Sequence, residues 1–418
     1  MKLILKVLGA IVLLILLLIA GVIALPFWPV VQDRVGGGDH RAWLDANRTG
    51  IDLTAEAPGF QFDDSIHGAR FVILGEMHGF RAVQALDLAL VEYFASEGPA
   101  RTYLAELGPD QAMAFNLYLE TGDETAARGV FDAWARIDAQ WANQEFFAKL
   151  QRLRDLNAAL PEARRIWFVG IDRLGDVDRL AALSAERPEG AEPGFDSYAA
   201  VQALNAQLGA RALEFEPDAS RYTHMVNHAL TVAALDPERH FYGLWGLGHS
   251  SKTRVNDGPT LAMYLNGEGG AFEGSVAALN TLCIDECVNM LPAQALPEPM
   301  QGDSGANYVG LPINYDVPLL YRMRGINDLK ASMGEARVAA FRISGEGSPY
   351  VDGPRLSAVS GYLTPILPFF YGGPAAEITD YYIAIAGSAP LTPWSGEVHD
   401  LTGLAAQAGV PGVTERLN

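Results

Sequence analysis

Phe71-Val72-Ile73-Leu74-Gly75-Glu76-Met77-His78-Gly79 carries four apolar residues through a glycine into a glutamate, a histidine and a second glycine. A short, unbroken apolar run bounded by turn residues reads as a strand covered on both faces, the kind found in parallel sheets. The pattern recurs three times. Tyr103-Leu104-Ala105 ends at Glu106, Ile166-Trp167-Phe168-Val169-Gly170-Ile171 ends at Asp172, and the run from Phe241 to Leu247 ends at Gly248-His249. In an open parallel sheet the carboxyl ends of the strands share one edge, and ligands bind in the crevice beyond it. The four ends therefore predict one site built from Glu76, His78, Glu106, Asp172 and His249.

Between these runs the apolar residues take up a helical period. Val83, Leu86, Leu90, Val91 and Phe94 mark a helix over 82–94, a second spans 110–120, and Phe146, Phe147, Leu150, Leu153 and Leu156 form the stripe of a third over 143–160. Further helices are expected at 197–213, 221–234 and 259–265. Strand alternating with helix predicts an α/β fold, a mostly parallel sheet with helices on both faces and right-handed crossovers. Residues 46–266 form the expected core of this domain. Residues 267–418 read as its C-terminal extension, with strands at 275–283, 336–344 and 381–386, and with the irregular stretches 291–313 and 345–367 as candidate lid loops.

The chain has 418 residues, is 49% apolar and carries a net charge of -20. So acidic a protein lacks the clustered Lys and Arg that phosphate backbones require, which excludes nucleic acid as a partner. Lys2 and Lys6 precede an uncharged run from Val7 to Trp28 that as a helix would be ~33 Å long, enough to cross a bilayer. That run exceeds the core of a cleavable signal, and Ala24-Leu25-Pro26 offers only one small residue for cleavage. The expectation is a short cytoplasmic end at 1–6, a transmembrane helix or uncleaved signal anchor at 7–28, a linker at 29–45, and a globular part in the periplasm or cell exterior. In such a compartment Cys283 and Cys287, the two cysteines of the chain, would pair into a local disulfide.

The residue types at the four strand ends suit hydrolysis by water. Histidine titrates near neutrality and can take a proton from water, so His78 is the candidate base, with Glu76, Glu106 or Asp172 to fix its tautomer. His249, Arg81 or the amides around Gly79 would meet the developing oxyanion. No Gly-x-Ser-x-Gly elbow occurs, and neither cysteine is near the strand-end set, which leaves water as the attacker of a small-molecule or peptide substrate. Glu76, His78 and His249 could equally hold a divalent metal, Zn, Mn or Co, that makes the hydroxide. Arg81, Arg221, His228 and Trp245 are the candidates for binding substrate. The competing readings are ion pairs of Arg221 with Glu214 or Glu216, and core packing for Trp245 and Trp141.

Taken together, Leu74-Gly75-Glu76-Met77-His78-Gly79, Glu106, Trp141-Ala142-Asn143-Gln144-Glu145, Leu153-Arg154-Asp155-Leu156-Asn157, Gly170-Ile171-Asp172, Arg221 with Met225 and Asn227, and Gly246-Leu247-Gly248-His249 resemble the erythromycin esterase family from about residue 66 to 265. The wider superfamily also includes haem-binding ChaN-like lipoproteins and TIKI/TraB-type metal-dependent peptidases, which adds haem binding without catalysis and metal-dependent peptide hydrolysis as alternatives. The resemblance implies His78 as general base, Glu76 and Glu106 as its acidic partners, Asp172 as a site carboxylate and His249 as a second imidazole. One departure stands out. The esterases place two residues between the first Glu and His, whereas Glu76 and His78 have one between them, as in the ChaN and TIKI/TraB branches.

Overall fold

The computed structural model describes residues 37–97, 101–216, 219–302, 305–317, 321–361, 364, 371–401, 403 and 413–417, with 13, 14 and 21. Apart from those last three positions, the expected span at 7–28 lies outside the described residues. Among the described residues no helix is long and apolar enough to cross a membrane.

The strands in chain order are β1 (Arg48–Ile51), β2 (Phe71–Glu76), β3 (Arg101–Ala105), β4 (Phe168–Gly170), β5 (His240–Gly246), β6 (Val276–Ile284), β7 (Asn289–Pro292), β8 (Tyr308–Leu311), β9 (Asp316–Val317), β10 (Tyr321–Met323), β11 (Val338–Arg342), β12 (Val359–Ser360), β13 (Tyr381–Ala386) and β14 (Val398–Asp400). Eight of them form one sheet in the order β1-β11-β13-β6-β2-β5-β3-β4. From β13 to β4 the neighbours run parallel, while β11 is antiparallel to both β13 and β1. The sheet is therefore large and mostly parallel, as expected. Two three-stranded sheets, β12-β10-β9 and β14-β8-β7, lie outside it.

Every residue of β2 is buried, which explains its unbroken apolar sequence: a strand covered on both faces has no polar side to alternate with. Phe71, Val72, Ile73 and Leu74 are wholly inaccessible, each contributing about 1.5–3 kcal/mol of burial. The helices Arg81–Glu97, Pro109–Thr121, Gln144–Ala159, Tyr198–Ala212 and Arg221–Leu235 fall close to their expected places. Their starts are set by side-chain caps at Asn143, Ser197 and Ser220, each accepting a bond from a first-turn amide. Helices at Thr125–Ala135, Val177–Glu186 and Ile326–Met333 were not anticipated. The C-terminal third supplies β6, β11 and β13 to the main sheet, with a second apolar cluster around Met323, Leu329, Phe341 and Tyr382 packed there.

The expected disulfide is corrected: Cys283 and Cys287 are free, buried thiols. Asp285 and Glu286 adopt left-handed backbone, with φ of 47° and 60°, and the tight turn aims the Cys287 thiol at the carbonyls of Ile284 (3.3 Å) and Ile385 (3.6 Å).

Candidate functional site

Sheet order brings the strand ends together. β2, β5, β3 and β4 are consecutive neighbours, so Glu76 and His78, His249, Glu106 and Asp172 emerge side by side. The order in which strands are added reverses here as well: from β5 the polypeptide crosses to the far side of β2 to make β6, the kind of switch point where such sheets open a crevice. Register does the fine alignment, with Glu76 opposite Gly246.

Glu106 is the hub. Its Oε2 accepts the Gly246 amide (2.7 Å), its Oε1 accepts Arg221 Nη2 (2.6 Å), and the same oxygen lies 3.3 Å from His249 Nε2. Arg221 opens the helix capped by Ser220, which points its guanidinium back across the strand ends. Its Nε donates to Asp172 Oδ1 at 2.9 Å, Nη2 also reaches Asp172, and Nη1 stands 3.3 Å from His249 Nε2. Arg221 thus pairs with Glu106 and Asp172 and not with Glu214 or Glu216. His78 and His249, which follow the adjacent strands β2 and β5, face the same carboxylate.

His78 Nδ1 lies 2.8 Å from Glu76 Oε1. That bond places the proton on Nδ1 and leaves Nε2 as the basic nitrogen in the neutral ring. Burial opposes charge on His78, but the Glu76 carboxylate and, beyond it, Glu106 outweigh burial and raise its pKa above the ordinary histidine value. Burial likewise opposes charge on Glu106. The His249 bond and the charges of His249, His78 and Arg221 overcome it and hold the carboxyl far below the usual range. Arg221 is raised further by Asp172 and Glu106 against its own desolvation. The cluster ties Glu106 and Asp172 to Arg221 and leaves His78 as an imidazole whose proton is held to higher pH than in an ordinary histidine.

Beneath Glu76 and His78 a narrow cleft of about 30 Å³ runs inward between the sheet and two helices. Trp141 stands edge-on to His78 at its mouth, ring centroids 4.9 Å apart. Its inner end is closed by Gln84 and Lys149. Glu76 Oε2 is buried and has no partner, and Glu76 lines this cleft. Lys149, 1% exposed, donates to Asp87, itself inaccessible, and to Gln84 Oε1 (2.8 Å). Asp87 also accepts the hydroxyls of Tyr103 (2.8 Å) and Tyr242 (2.7 Å). This buried network lies outside the residues expected from sequence. The signal was available, since Lys149 interrupts the apolar stripe Phe146, Leu150, Leu153 and Asp87 interrupts Val83, Leu90, Val91.

Three expected substrate contacts lie elsewhere. Arg81 is paired with Glu145 (2.8 Å) and bonded to Thr392 (2.8 Å); as the first residue of its helix it is turned toward the loop 389–393 instead of the crevice. His228 is buried, bonds the Ile171 carbonyl at 3.0 Å and is pushed down to about 4 by burial, so it is a neutral brace between helix and strand end. Trp245 is inaccessible and donates to the Leu104 carbonyl (2.9 Å). It packs the core and meets the site only through His249, 6.0 Å away between ring centroids.

The expected metal set does not fit a metal. One oxygen of Glu76 is taken by His78, and the carboxylates that could join His249 already carry the Arg221 guanidinium, so a second cation there would face a fixed positive charge. Among the described residues no group of three or more His, Cys, Asp and Glu is placed to hold an ion. The cleft beside His78 is itself far smaller than a porphyrin.

No family model and no curated protein matches the chain. Solved structures share its fold. A Bacillus cereus protein aligns with a TM-score of 0.56 at 14% identity, covering 84% of this chain and 98% of that one. A succinoglycan biosynthesis protein aligns at 0.56 and 13%, covering 87% and 100%. An erythromycin esterase mutant, EreC, in its open conformation aligns at 0.51 and 11%, covering 83% and 99%. Haem-bound ChaN of Campylobacter jejuni reaches a TM-score of 0.25 over 56% of this chain, which carries no argument for haem. At these identities the likeness is one of fold.

Proposed function

We propose that the protein is an exported, membrane-anchored hydrolase that cleaves an ester, lactone or amide bond with water activated by His78. The observation that carries this reading is the Glu76–His78 pair at the mouth of a cleft, one nitrogen tied to the carboxylate at 2.8 Å and the other turned toward the Glu106–Arg221–His249 lattice.

His78 Nε2 takes a proton from water as its oxygen attacks the acyl carbon, and Glu76 stabilises the imidazolium that forms. The imidazolium then returns the proton to the leaving oxygen or nitrogen as the bond to carbon breaks. Arg221, held by Glu106 and Asp172, supplies the positive charge toward which the developing oxyanion is drawn, with His249 beside it. Because these donors are fixed before substrate arrives, little reorganisation is needed at the moment of reaction. The fold likeness to an esterase supports the reading as fold alone. Incubating the full-length protein with p-nitrophenyl acetate, a lactone and a peptide series tests it: turnover well above the buffer rate is expected for at least one class, and none for any class overturns it.

Gly246 gives a sharper test of geometry. A Cβ there would stand 2.9 Å from His78 Nε2 and 3.5 Å from Glu106 Oε2, so Gly246→Ala pushes the imidazole off its position. Displacements of that size cost about 100-fold in kcat. Steady-state kinetics with a circular-dichroism melt should show the rate falling while the fold persists.

The anchor is a separate proposal, resting on Lys2, Lys6 and the uncharged run 7–28. Alkaline phosphatase fused after Asn418 should be active only when exported, and is expected to be active here. A cytoplasmic reporter lighting up in its place would reverse the orientation.

A further inference from the structure

Resting on the hydrolase reading above, we propose that the cleft beneath Glu76 and His78 receives the acyl side of the scissile bond and takes nothing larger than an acetyl group. About 30 Å³ holds roughly two groups of the size of a water or a methyl. Leu107, Phe146, Phe168 and Leu244 give it an apolar side that suits a methyl, while Glu76, Glu106, Gln84 and Lys149 line it with polar groups.

The inner end cannot retreat cheaply. Lys149 is fixed by Asp87 and Gln84 and lies 4.3 Å from the Phe146 ring centre, while Asp87 is fixed in turn by two tyrosine hydroxyls. Lengthening the acyl chain would mean breaking a buried ion pair, a far larger penalty than a rotamer change.

Direction follows from the proton path. The water oxygen bonds to the acyl carbon, the carbon–oxygen bond to the leaving group breaks, and the proton taken by His78 goes to that leaving oxygen. The leaving group must then depart to solvent, so it belongs on the side where His78 is open, its side chain being 23% exposed. The acyl group stays until the new acid is released and can occupy a blind space.

The test uses full-length protein with p-nitrophenyl acetate, propionate, butyrate and hexanoate, beside acetates of alcohols of increasing length. On the acyl side kcat/KM is expected to fall about ten-fold or more per added methylene at first, while the alcohol series stays nearly flat. Leu244→Ala opens one wall and should raise the butyrate-to-acetate ratio at least about ten-fold; a thermal melt confirms its fold, and the wild-type series decides the matter if that variant does not fold. A flat or rising acyl series, or discrimination confined to the alcohol, overturns the acetyl pocket and leaves the hydrolase standing. Absence of turnover on every ester overturns the acetyl pocket, and absence on lactones and peptides as well defeats the hydrolase reading with it.

Discussion

His78→Asn is expected to lower kcat/KM by about 10²- to 10⁴-fold, the usual contribution of a positioned general base, with only a small change in Tm. Asparagine is the better replacement than alanine. Glu76 is 3% exposed and already has one oxygen without a partner, so removing the ring outright would leave a buried carboxylate wholly unpaired, and a stability loss would be confused with a catalytic one. An amide can still donate to Glu76 yet takes no proton near neutrality. The pH profile carries the same argument. A base works only when neutral, and the carboxylates of Glu76 and Glu106 keep the proton on His78 to higher pH than an ordinary imidazole. Activity should therefore rise with pH through a midpoint above 6.5. Glu76→Gln removes the main charge responsible, so the limb should move toward lower pH even as the plateau drops. A limb that stays in place would mean that Glu76 does not govern the titration of His78.

Much of this site was legible because its chemistry sits where strands end. Glu76, Glu106, Asp172 and His249 each follow an apolar run, and a parallel sheet gathers such positions whatever the intervening sequence. The register that sets Glu76 opposite Gly246 was not legible, nor was the turn of Arg81 toward Glu145, because both depend on partners far along the chain. The metal expectation failed for a related reason: ligand-type residues can be counted in a sequence, but that Arg221 claims two of the carboxylates is a fact of three-dimensional placement. The helix Thr125–Ala135 is poorly announced although Ala127, Val130, Phe131 and Trp134 have helical spacing and are all buried; its stripe is short and broken by charged neighbours. The disulfide expectation rests on compartment and spacing, whereas the left-handed turn at Asp285 and Glu286 that orients Cys287 has no glycine to announce it.

Lys149→Met should be the most destabilising single substitution near the site, at about 3–5 kcal/mol, the range for breaking one side of a buried ion pair. For a chain of this size that is roughly 4–6 °C in Tm. Asp87 would keep the hydroxyls of Tyr103 and Tyr242 but lose its one charged partner, with no solvent access to compensate. Asp87→Asn alone should also be costly, since it strands the lysine. In the double variant neither charge remains and the amide oxygen can still accept a tyrosine hydroxyl, so its Tm should lie well above the sum of the two single losses, a coupling that thermal melts of all four proteins measure directly. Additive losses would mean that the two charges do not stabilise one another. The pair ties the helix Arg81–Glu97 to Gln144–Ala159 across the inner end of the cleft, and the first of these helices follows directly on the turn that carries His78. Loosening it should therefore also raise the tolerance for longer acyl chains at temperatures where the variant remains folded, which joins the stability of the buried pair to the shape of the site above it.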